Sequence, residues 1–196
     1  MNIVLHIHSL RGGGAERAVS QLAGDLAALG HRLLIVTFEE ASDSDYPLDD
    51  RVDRVAIGPQ CLGSRRLIRV LRRITQLRAK ITEFDADVVL GFMTTSSLYA
   101  IAASIGLATN AVCCERVAPA EQELSGAAAW LRRRVFPLAA GVVCQTESAA
   151  RWYRSHIRRA RVTVIPNSVR VPLESRNPII CPAAVVDDDA ILILAV

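Results

Sequence analysis

The sequence predicts an α/β protein of the Rossmann-like kind, with about seven strands in a mainly parallel sheet and helices on both faces. Three observations predict this class. The 196 residues are 51% hydrophobic but only 5% aromatic, a composition dominated by Ala, Val, Leu and Ile. Short apolar runs typical of buried strands alternate with stretches of helical periodicity. A glycine cluster also separates the first strand from the first helix.

The amino-terminal residues predict a βαβ unit. Apolar residues 3–8 form the first strand, and residues 15–29 have apolar positions at helical spacing, with Gly30 placed to end the helix. Residues 31–38 are rich in β-branched and large apolar side chains and form the second strand. The connection is therefore expected to be right-handed. An acidic stretch, 39–50, is interpreted as a surface loop.

The same alternation continues to about residue 165. The predicted elements are strand 52–57, helix 64–84, strand 86–92, helix 94–107, strand 111–114, a polar loop over 115–122, helix 123–140 with a kink at Pro137, strand 141–145, helix 147–157 and strand 162–165. Three prolines then mark 171–189 as a linker. Residues 190–196 (AILILAV) resemble the first strand of a second domain, so the first domain is expected to cover 1–170.

Charge and cysteine content exclude several classes of function. The net charge of +3 is too small to indicate nucleic-acid binding. Five cysteines lack C-x-x-C pairs and zinc-ligand spacing, which favours reduced thiols and predicts no metal. The first residues lack a signal peptide's basic and long apolar regions, and no apolar run is long enough to span a bilayer. A cytoplasmic location is therefore expected.

The glycine cluster Gly12, Gly13 and Gly14 lies between a strand and a helix, where free backbone N–H groups and the helix dipole favour an anion such as phosphate. The spacing fits neither the G-x-G-x-x-G dinucleotide pattern nor a P-loop. A turn that binds no ligand is the alternative interpretation.

Polar residues follow two other strands. His6 and His8 share one face of the first strand, so one of them could reach a substrate, or both could pack under a helix with a ring nitrogen bonded to backbone. Glu115 and Arg116 follow the fifth strand directly, at the same edge as the glycines. Arginine suits bidentate binding of phosphate or carboxylate, whereas a structural ion pair is the alternative.

Basic residues concentrate in 65–80, which holds seven Arg or Lys side chains and no acid. Arg65, Arg69, Arg72 and Arg73, together with Trp130 and Phe136 of a second basic-apolar segment, are therefore candidates to face an anionic membrane. The alternative is a solvated basic face, with an apolar stripe that packs in the core and comprises Leu67, Leu71, Ile74, Ile81 and Phe84.

Several segments together resemble the amino-terminal domain of family-four glycosyltransferases with the GT-B fold, notably bacterial enzymes that build polysaccharide repeat units or lipid-linked oligosaccharides. They are SLRGGGAER, GHRLLIVTF, FMTTSS, CCERVAP, AAGVVCQTES and VTVIPNSV. The resemblance covers residues 1–170.

This resemblance implies a two-lobed retaining enzyme. The amino-terminal lobe would bind a saccharide or polyprenyl-diphosphate-linked acceptor, at the inner membrane surface, and the carboxy-terminal lobe would hold the nucleotide sugar, with a UDP-sugar expected and no cofactor required. The Gly12, Gly13 and Gly14 loop would approach the donor diphosphate. The implied catalytic candidates are Glu115 and Arg116, and the acceptor-side candidates are His8, Arg11, Thr94 and Thr95.

Two departures from the family pattern bear on activity. Glu115 and Arg116 stand where many members have a histidine, as in the branch that resembles N-acetylgalactosamine and galactose transferases. The family's carboxy-terminal Arg/Lys pair and E-x7-E motif have no counterpart in the chain. The polypeptide alone is therefore expected to be inactive. A non-catalytic module that binds a nucleotide or another small molecule is the alternative function.

Overall fold

A computed structural model describes residues 1–58, 66–122 and 124–167. This part of the chain contains seven strands and five α-helices in alternation. The expected linker 171–189, the expected strand 190–196 and Arg65 lie outside the described residues.

The elements occur in the predicted order. The strands are β1 Asn2–Ile7, β2 Arg32–Thr37, β3 Val52–Ala56, β4 Val88–Phe92, β5 Asn110–Glu115, β6 Gly141–Cys144 and β7 Val162–Val164. The helices are α1 Gly14–Ala28, α2 Arg66–Glu83, α3 Met93–Ser104, α4 Gly126–Val135 and α5 Glu147–His156, and a 3₁₀ turn covers Phe136–Leu138.

All seven strands are parallel and form one sheet in the order β3-β2-β1-β4-β5-β6-β7. Chain order reverses between β1 and β4, which is the switch point where open α/β sheets place ligands. The predicted Rossmann-like class is confirmed.

Side chains on opposite faces of the sheet pack into two separate cores. On one face Leu5 and Ile7 of β1 pack with Val19 of α1. On the other face Val4 and Val36 pack with residues of α2, α3 and α5, among them Leu77, Tyr99 and Tyr153. Because successive residues of a strand point to opposite faces, the continuous apolar runs are explained by burial on both sides.

Local chemistry explains where two helices end. Gly30 has φ +84°, the left-handed conformation expected of the glycine that ends α1. The helix predicted over 123–140 is shorter, because Ser125 caps α4 by accepting from the Ala128 backbone N–H and the chain at Pro137 turns into a 3₁₀ segment.

The apolar stripe of α2 is buried over only part of its length. Leu77 and Ile81 are fully buried and Ile74 packs against the same core. Leu67 and Leu71 are instead 68% and 55% exposed. The alternative interpretation, in which the whole stripe packs in the core, therefore fails for these two residues: Val70 and Ile74 pack against the core, and Leu77 and Ile81 lie in it.

Candidate functional site

The carboxyl ends of the parallel strands gather the predicted site residues at one edge of the sheet. The glycine loop follows β1, Thr94 and Thr95 begin α3 directly after β4, and Arg116 follows β5. Because β1, β4 and β5 are consecutive neighbours in the sheet, these three segments lie side by side across the switch point.

The β4–α3 junction has no intervening loop. Met93, the first residue of α3, has φ +69°. A β-carbon added to Gly91 would lie 2.5 Å from the Ser97 Cα atom, and Ser97 Oγ donates to the Gly91 carbonyl at 2.9 Å. The helix therefore starts in backbone contact with the strand, which brings Thr94 and Thr95 close to the edge.

The glycine loop has the backbone geometry of an open helix start. Gly12 has φ +51°, and Gly13 is the extended residue that precedes α1, with no side-chain cap on the helix. The Glu16 carboxylate folds back so that Oε2 would lie 1.9 Å from a β-carbon at Gly13, whereas the space beside Gly14 is open. The loop thus presents backbone N–H groups next to a carboxylate of its own helix.

A chain of charged side chains joins the β1–α1 loop to the acidic segment after β2. His8 Nε2 lies 3.2 Å from Glu39, and Arg11 lies 3.4 Å from Glu39 and 3.9 Å from Asp45. Asp45 also contacts Arg54 Nη1 at 2.6 Å. Sequence reasoning missed Glu39, Asp45 and Arg54, because it interpreted the acidic segment as a plain surface loop.

The Asp45–Arg54 pair is the buried end of this chain. Burial by itself would raise the pKa of the Asp45 carboxyl, but hydrogen bonds from Arg54 and the Ser42 backbone, with the charges of Arg54 and Arg11, lower it overall. Arg11 also forms an isolated antiparallel bridge with Asp45. The position of Arg11 beside the glycine loop is therefore fixed by backbone and charge together.

The two histidines of the first strand have different environments. His6 is fully buried, its Nδ1 atom lies 2.9 Å from the Val36 carbonyl, and its ring packs edge-on against Phe38. Burial, the largest cause, lowers its pKa to about 4, so it is neutral at pH 7. His6 is therefore packed in the core with a ring nitrogen bonded to backbone, which is the second interpretation of the sequence. His8 is exposed and lies at the edge beside Glu39.

Glu115 is the last residue of β5 and pairs in register with Cys144 of β6, so it does not begin the loop as expected. Its side chain is only 3% exposed. Oε2 lies 2.8 Å from Thr94 Oγ1 and 3.0 Å from the Tyr153 hydroxyl, while Oε1 is buried with no hydrogen-bond partner among the described residues.

The Thr94 hydroxyl lies between two side-chain acceptors. The single hydroxyl proton of Thr94 faces two acceptors, Glu115 Oε2 and, at 3.0 Å, Gln122 Oε1. Thr94 thus connects the carboxyl group of Glu115 to the side-chain amide of Gln122. Burial, the largest cause, raises the pKa of Glu115 despite the opposing hydrogen bonds and the charge of Arg132.

Arg132 is the cation of the same buried network. It is 4% exposed, and its Nη1 atom donates to Gln122 Oε1 at 2.9 Å. Its guanidinium lies over the rings of Trp152 and Tyr153, at 4.6 and 5.7 Å from their centroids. Stacking on two aromatic rings compensates part of the cost of burying the charge. Sequence reasoning did not single out this arginine within its basic segment.

Arg116 lies beside residues that follow β6 and β7. Its Nη1 atom donates to Asn167 Oδ1, Gln145 joins the same polar cluster, and the guanidinium lies 5.6 Å from the centroid of the Phe92 ring. Arg116 is half-buried, and the structure resolves no carboxylate partner for it within the described residues. It is therefore a cation at the same edge as the glycine loop.

The membrane-facing candidates have different surroundings. Arg69 and Arg72 are exposed, Trp130 is 58% exposed, and Arg73 lies over the Phe38 ring at 4.2 Å. Phe136 is completely buried and stacks on Tyr153. The prediction that Phe136 faces a membrane is therefore wrong, because the 3₁₀ turn directs it into the core.

Over 1–58, 66–122 and 124–167, no helix combines the length and the apolar character needed to cross a bilayer. In the same ranges no three His, Cys, Asp or Glu side chains are grouped so that they could hold a metal ion.

Together the fold and this edge define a Rossmann-like domain whose predicted site residues meet at the switch point of the sheet. Residues 12–171 match the family model of Glycosyltransferase Family 4. The chain therefore belongs to glycosyltransferase family 4, as the resemblance of its motifs predicts.

One curated relative and several solved structures are similar to the chain. The relative is the GalNAc-alpha-(1->4)-GalNAc-alpha-(1->3)-diNAcBac-PP-undecaprenol alpha-1,4-N-acetyl-D-galactosaminyltransferase of Campylobacter jejuni, 26% identical over 170 residues that cover 85% of this chain and 46% of the relative. HepE of Anabaena in complex with UDP-glucose has a TM-score of 0.68 at 14% identity, over 86% of this chain and 44% of that structure. The lipopolysaccharide outer core galactosyltransferase WaaB has a TM-score of 0.64 at 14% identity, over 86% of this chain and 46% of WaaB.

The chain spans about half the length of the relatives that it matches. The range that matches the family model, 12–171, contains the glycine loop, Thr94 and the segment after β5.

Proposed function

We propose that the domain is the acceptor-binding half of a retaining glycosyltransferase, which transfers a sugar from a nucleotide-sugar donor to a saccharide or lipid-linked saccharide in glycan biosynthesis. One observation carries the proposal: two cationic groups, Arg11 beside the glycine loop and Arg116 after β5, flank the switch point at one edge of the sheet. Guanidinium groups and free backbone N–H groups suit a ligand that carries phosphate.

The donor diphosphate would approach Gly13 and Gly14 across the cleft from a second, donor-binding lobe. The open space beside Gly14 supports a close approach of the backbone. A UDP-sugar is the proposed donor, supported by the UDP-glucose complex of the similar HepE structure. In this scheme the Glu16 carboxylate must turn away before a diphosphate can occupy the helix start.

The acceptor would lie between the glycine loop and the β5–α4 segment, in reach of His8, Arg11, Thr95 and Arg116. A polyprenyl-diphosphate-linked saccharide is the proposed acceptor, supported by the name of the Campylobacter jejuni relative, which specifies an undecaprenol-linked substrate. Arg116 suits the anionic part of such an acceptor, because its guanidinium can bind phosphate oxygens in pairs.

A lipid-linked acceptor would bring the domain to the cytoplasmic face of the inner membrane. The first turns of α2 support this location, because they expose Leu67, Ile68 and Leu71 next to Arg69 and Arg72. Exposed leucines beside arginines suit the interface of an anionic bilayer, where apolar side chains insert and cations meet headgroups.

A titration of the purified 196-residue chain tests the proposal. UDP is expected to bind only weakly, with Kd on the order of 1 mM, and the undecaprenyl-diphosphate-linked saccharide in detergent more tightly. Transfer should be absent, because the groups that stabilise the departing diphosphate would belong to the donor-binding lobe.

Tight binding of UDP without any affinity for the acceptor would favour the alternative, a non-catalytic nucleotide-binding module. Turnover by the chain alone would contradict the proposed division of labour between two lobes.

A further inference from the structure

The buried polar network around Glu115 links four segments that meet at the edge of the proposed site. Glu115 lies in β5, Thr94 at the start of α3, Tyr153 in the middle of α5 and Arg132 in the second half of α4. Gln122 joins Thr94 to Arg132 with contacts of 3.0 and 2.9 Å. Glu115 and Arg132 are both at least nine-tenths buried, so the network lies below the surface that a ligand would touch.

The β5–α4 segment, residues 116–122, is held by this network at its two ends. It begins at Arg116, directly after Glu115 in the sheet, and it closes at Gln122, whose side chain returns to Thr94 and Arg132. Between these ends, Val117, Ala118 and Ala120 are exposed. The course of the segment therefore depends on contacts made below it.

A substrate could not touch Glu115 unless this network opened. Oε2 has two hydroxyl neighbours, and Oε1 is inaccessible to solvent. A general acid or base must come within hydrogen-bond reach of the reacting group, which this burial prevents.

We propose that Glu115 is a positioning residue rather than a catalytic residue: its buried carboxyl group, bonded to Thr94 and Tyr153 and joined through Gln122 to Arg132, fixes residues 116–122 and so the position of Arg116. This proposal depends on the proposed function in one respect only, which is that Arg116 binds a ligand. The structural part, control of the segment by the carboxyl group, applies to the 196-residue chain whatever it binds.

Amide hydrogen exchange of the 196-residue chain tests the structural part. Glu115→Ala removes both hydroxyl contacts, so exchange at the amides of 117–122, where Pro119 has none, should rise at least about tenfold while exchange in β1 and β2 is unchanged. Glu115→Gln should stay within about threefold of wild type, since an amide oxygen in the place of Oε2 can accept from both Thr94 and Tyr153. Glu121→Gln, an exposed glutamate of the same segment, is the matched control.

The neighbours of Glu115 supply a second variant. Thr94→Val combined with Tyr153→Phe removes the same contacts from the other side, and Tyr46→Phe serves as a control for the lost phenol. Should Glu115→Ala fail to fold, this double variant is measured in its place, with the same tenfold rise expected at 117–122. Wild-type exchange at 117–122, or an equal rise in β1 and β2, would overturn the proposal.

Kinetics separate positioning from chemistry once the domain is joined to a donor-binding lobe. Glu115→Gln should keep kcat within about threefold, whereas Thr94→Val with Tyr153→Phe should raise KM for the acceptor more than it lowers kcat. A loss of about 1000-fold in kcat for Glu115→Gln, with normal exchange, would make Glu115 catalytic and overturn the proposal. If no variant of the joined protein transfers sugar but the exchange results hold, only the proposed function fails.

Discussion

The carboxylate of Glu16 lies against Gly13, so close that a β-carbon on Gly13 would stand 1.9 Å from Glu16 Oε2. Gly13 directly precedes α1, where the helix dipole and free N–H groups attract negative charge. A carboxylate of the protein is therefore already present where an anionic ligand would bind.

Glu16→Gln should strengthen binding of inorganic pyrophosphate to the chain. Removing the charge eliminates its repulsion of the anion, and charges at a helix start contribute about 0.3–1 kcal/mol, which corresponds to a two- to fivefold lower Kd. Titration followed by NMR at the Gly13 and Gly14 amides measures the effect. The control Glu83→Gln, at the carboxyl end of α2, should leave Kd unchanged. An unaltered Kd in Glu16→Gln would show that the loop does not bind the anion.

Gly14→Val should abolish pyrophosphate binding while the fold stays intact. Nothing lies within 4 Å of a β-carbon at Gly14, so the side chain fits the free protein but blocks approach of a ligand to the backbone. Gly126 is the matched control, because it also begins a helix and has the same open space. Thermal unfolding and titration are measured on both variants, and equal binding by both would indicate that the loop is only a turn.

Stability should fall as the pH is lowered from about 6.5 to 4, because His6 stays neutral in the folded protein until its pKa of about 4. The unfolded chain binds the proton first, so the free energy of unfolding decreases by at most about 3 kcal/mol across this window. Glu115 has a raised pKa and acts in the opposite direction.

Urea unfolding of His6→Gln isolates the histidine contribution. This variant should have a flatter pH dependence than wild type between pH 4 and 6.5. His31→Gln replaces an imidazole whose side chain is not buried, and it should keep the wild-type slope. Identical slopes in the His6 variant and wild type would contradict a buried neutral imidazole.

Vesicles that contain anionic lipid should bind the domain through α2. Each basic residue near such a surface contributes about 1 kcal/mol, so Arg69→Glu with Arg72→Glu should weaken binding at least tenfold. The charge-matched variant Arg151→Glu with Arg158→Glu, outside α2, should bind like wild type.

Co-sedimentation at rising salt measures this binding, and Leu67→Ser with Leu71→Ser tests the apolar part. Binding that is insensitive to salt, or that is lost equally in both charge variants, would show that α2 is a solvated basic face and not the membrane-binding surface.

Repeating local patterns made most of the fold predictable. The strands β1 and β2 are short apolar runs buried on both faces, and Gly30, which is left-handed, follows the end of α1. The glycine loop and Arg116 were placed correctly at one edge, because parallel strands bring their carboxyl ends together.

Contacts between distant residues account for what the sequence did not predict. Glu115 is buried because Thr94 and Tyr153, 21 and 38 residues away in the chain, enclose its carboxyl group. Arg132 looks like a surface residue in a run of three arginines, yet two aromatic rings and Gln122 stabilise it inside. Periodicity identifies the apolar face of α2, but it does not predict how many turns of α2 pack against the neighbouring helix.

The contact between Gly91 and Ser97 limits how this domain can diversify. A single extra carbon at position 91 would collide with the α3 backbone, and an inserted residue would separate the helix from its strand. New ligand preferences would therefore have to arise from changes in the length or side chains of the segments on either side, 8–14 and 116–122, around a junction whose dimensions stay constant.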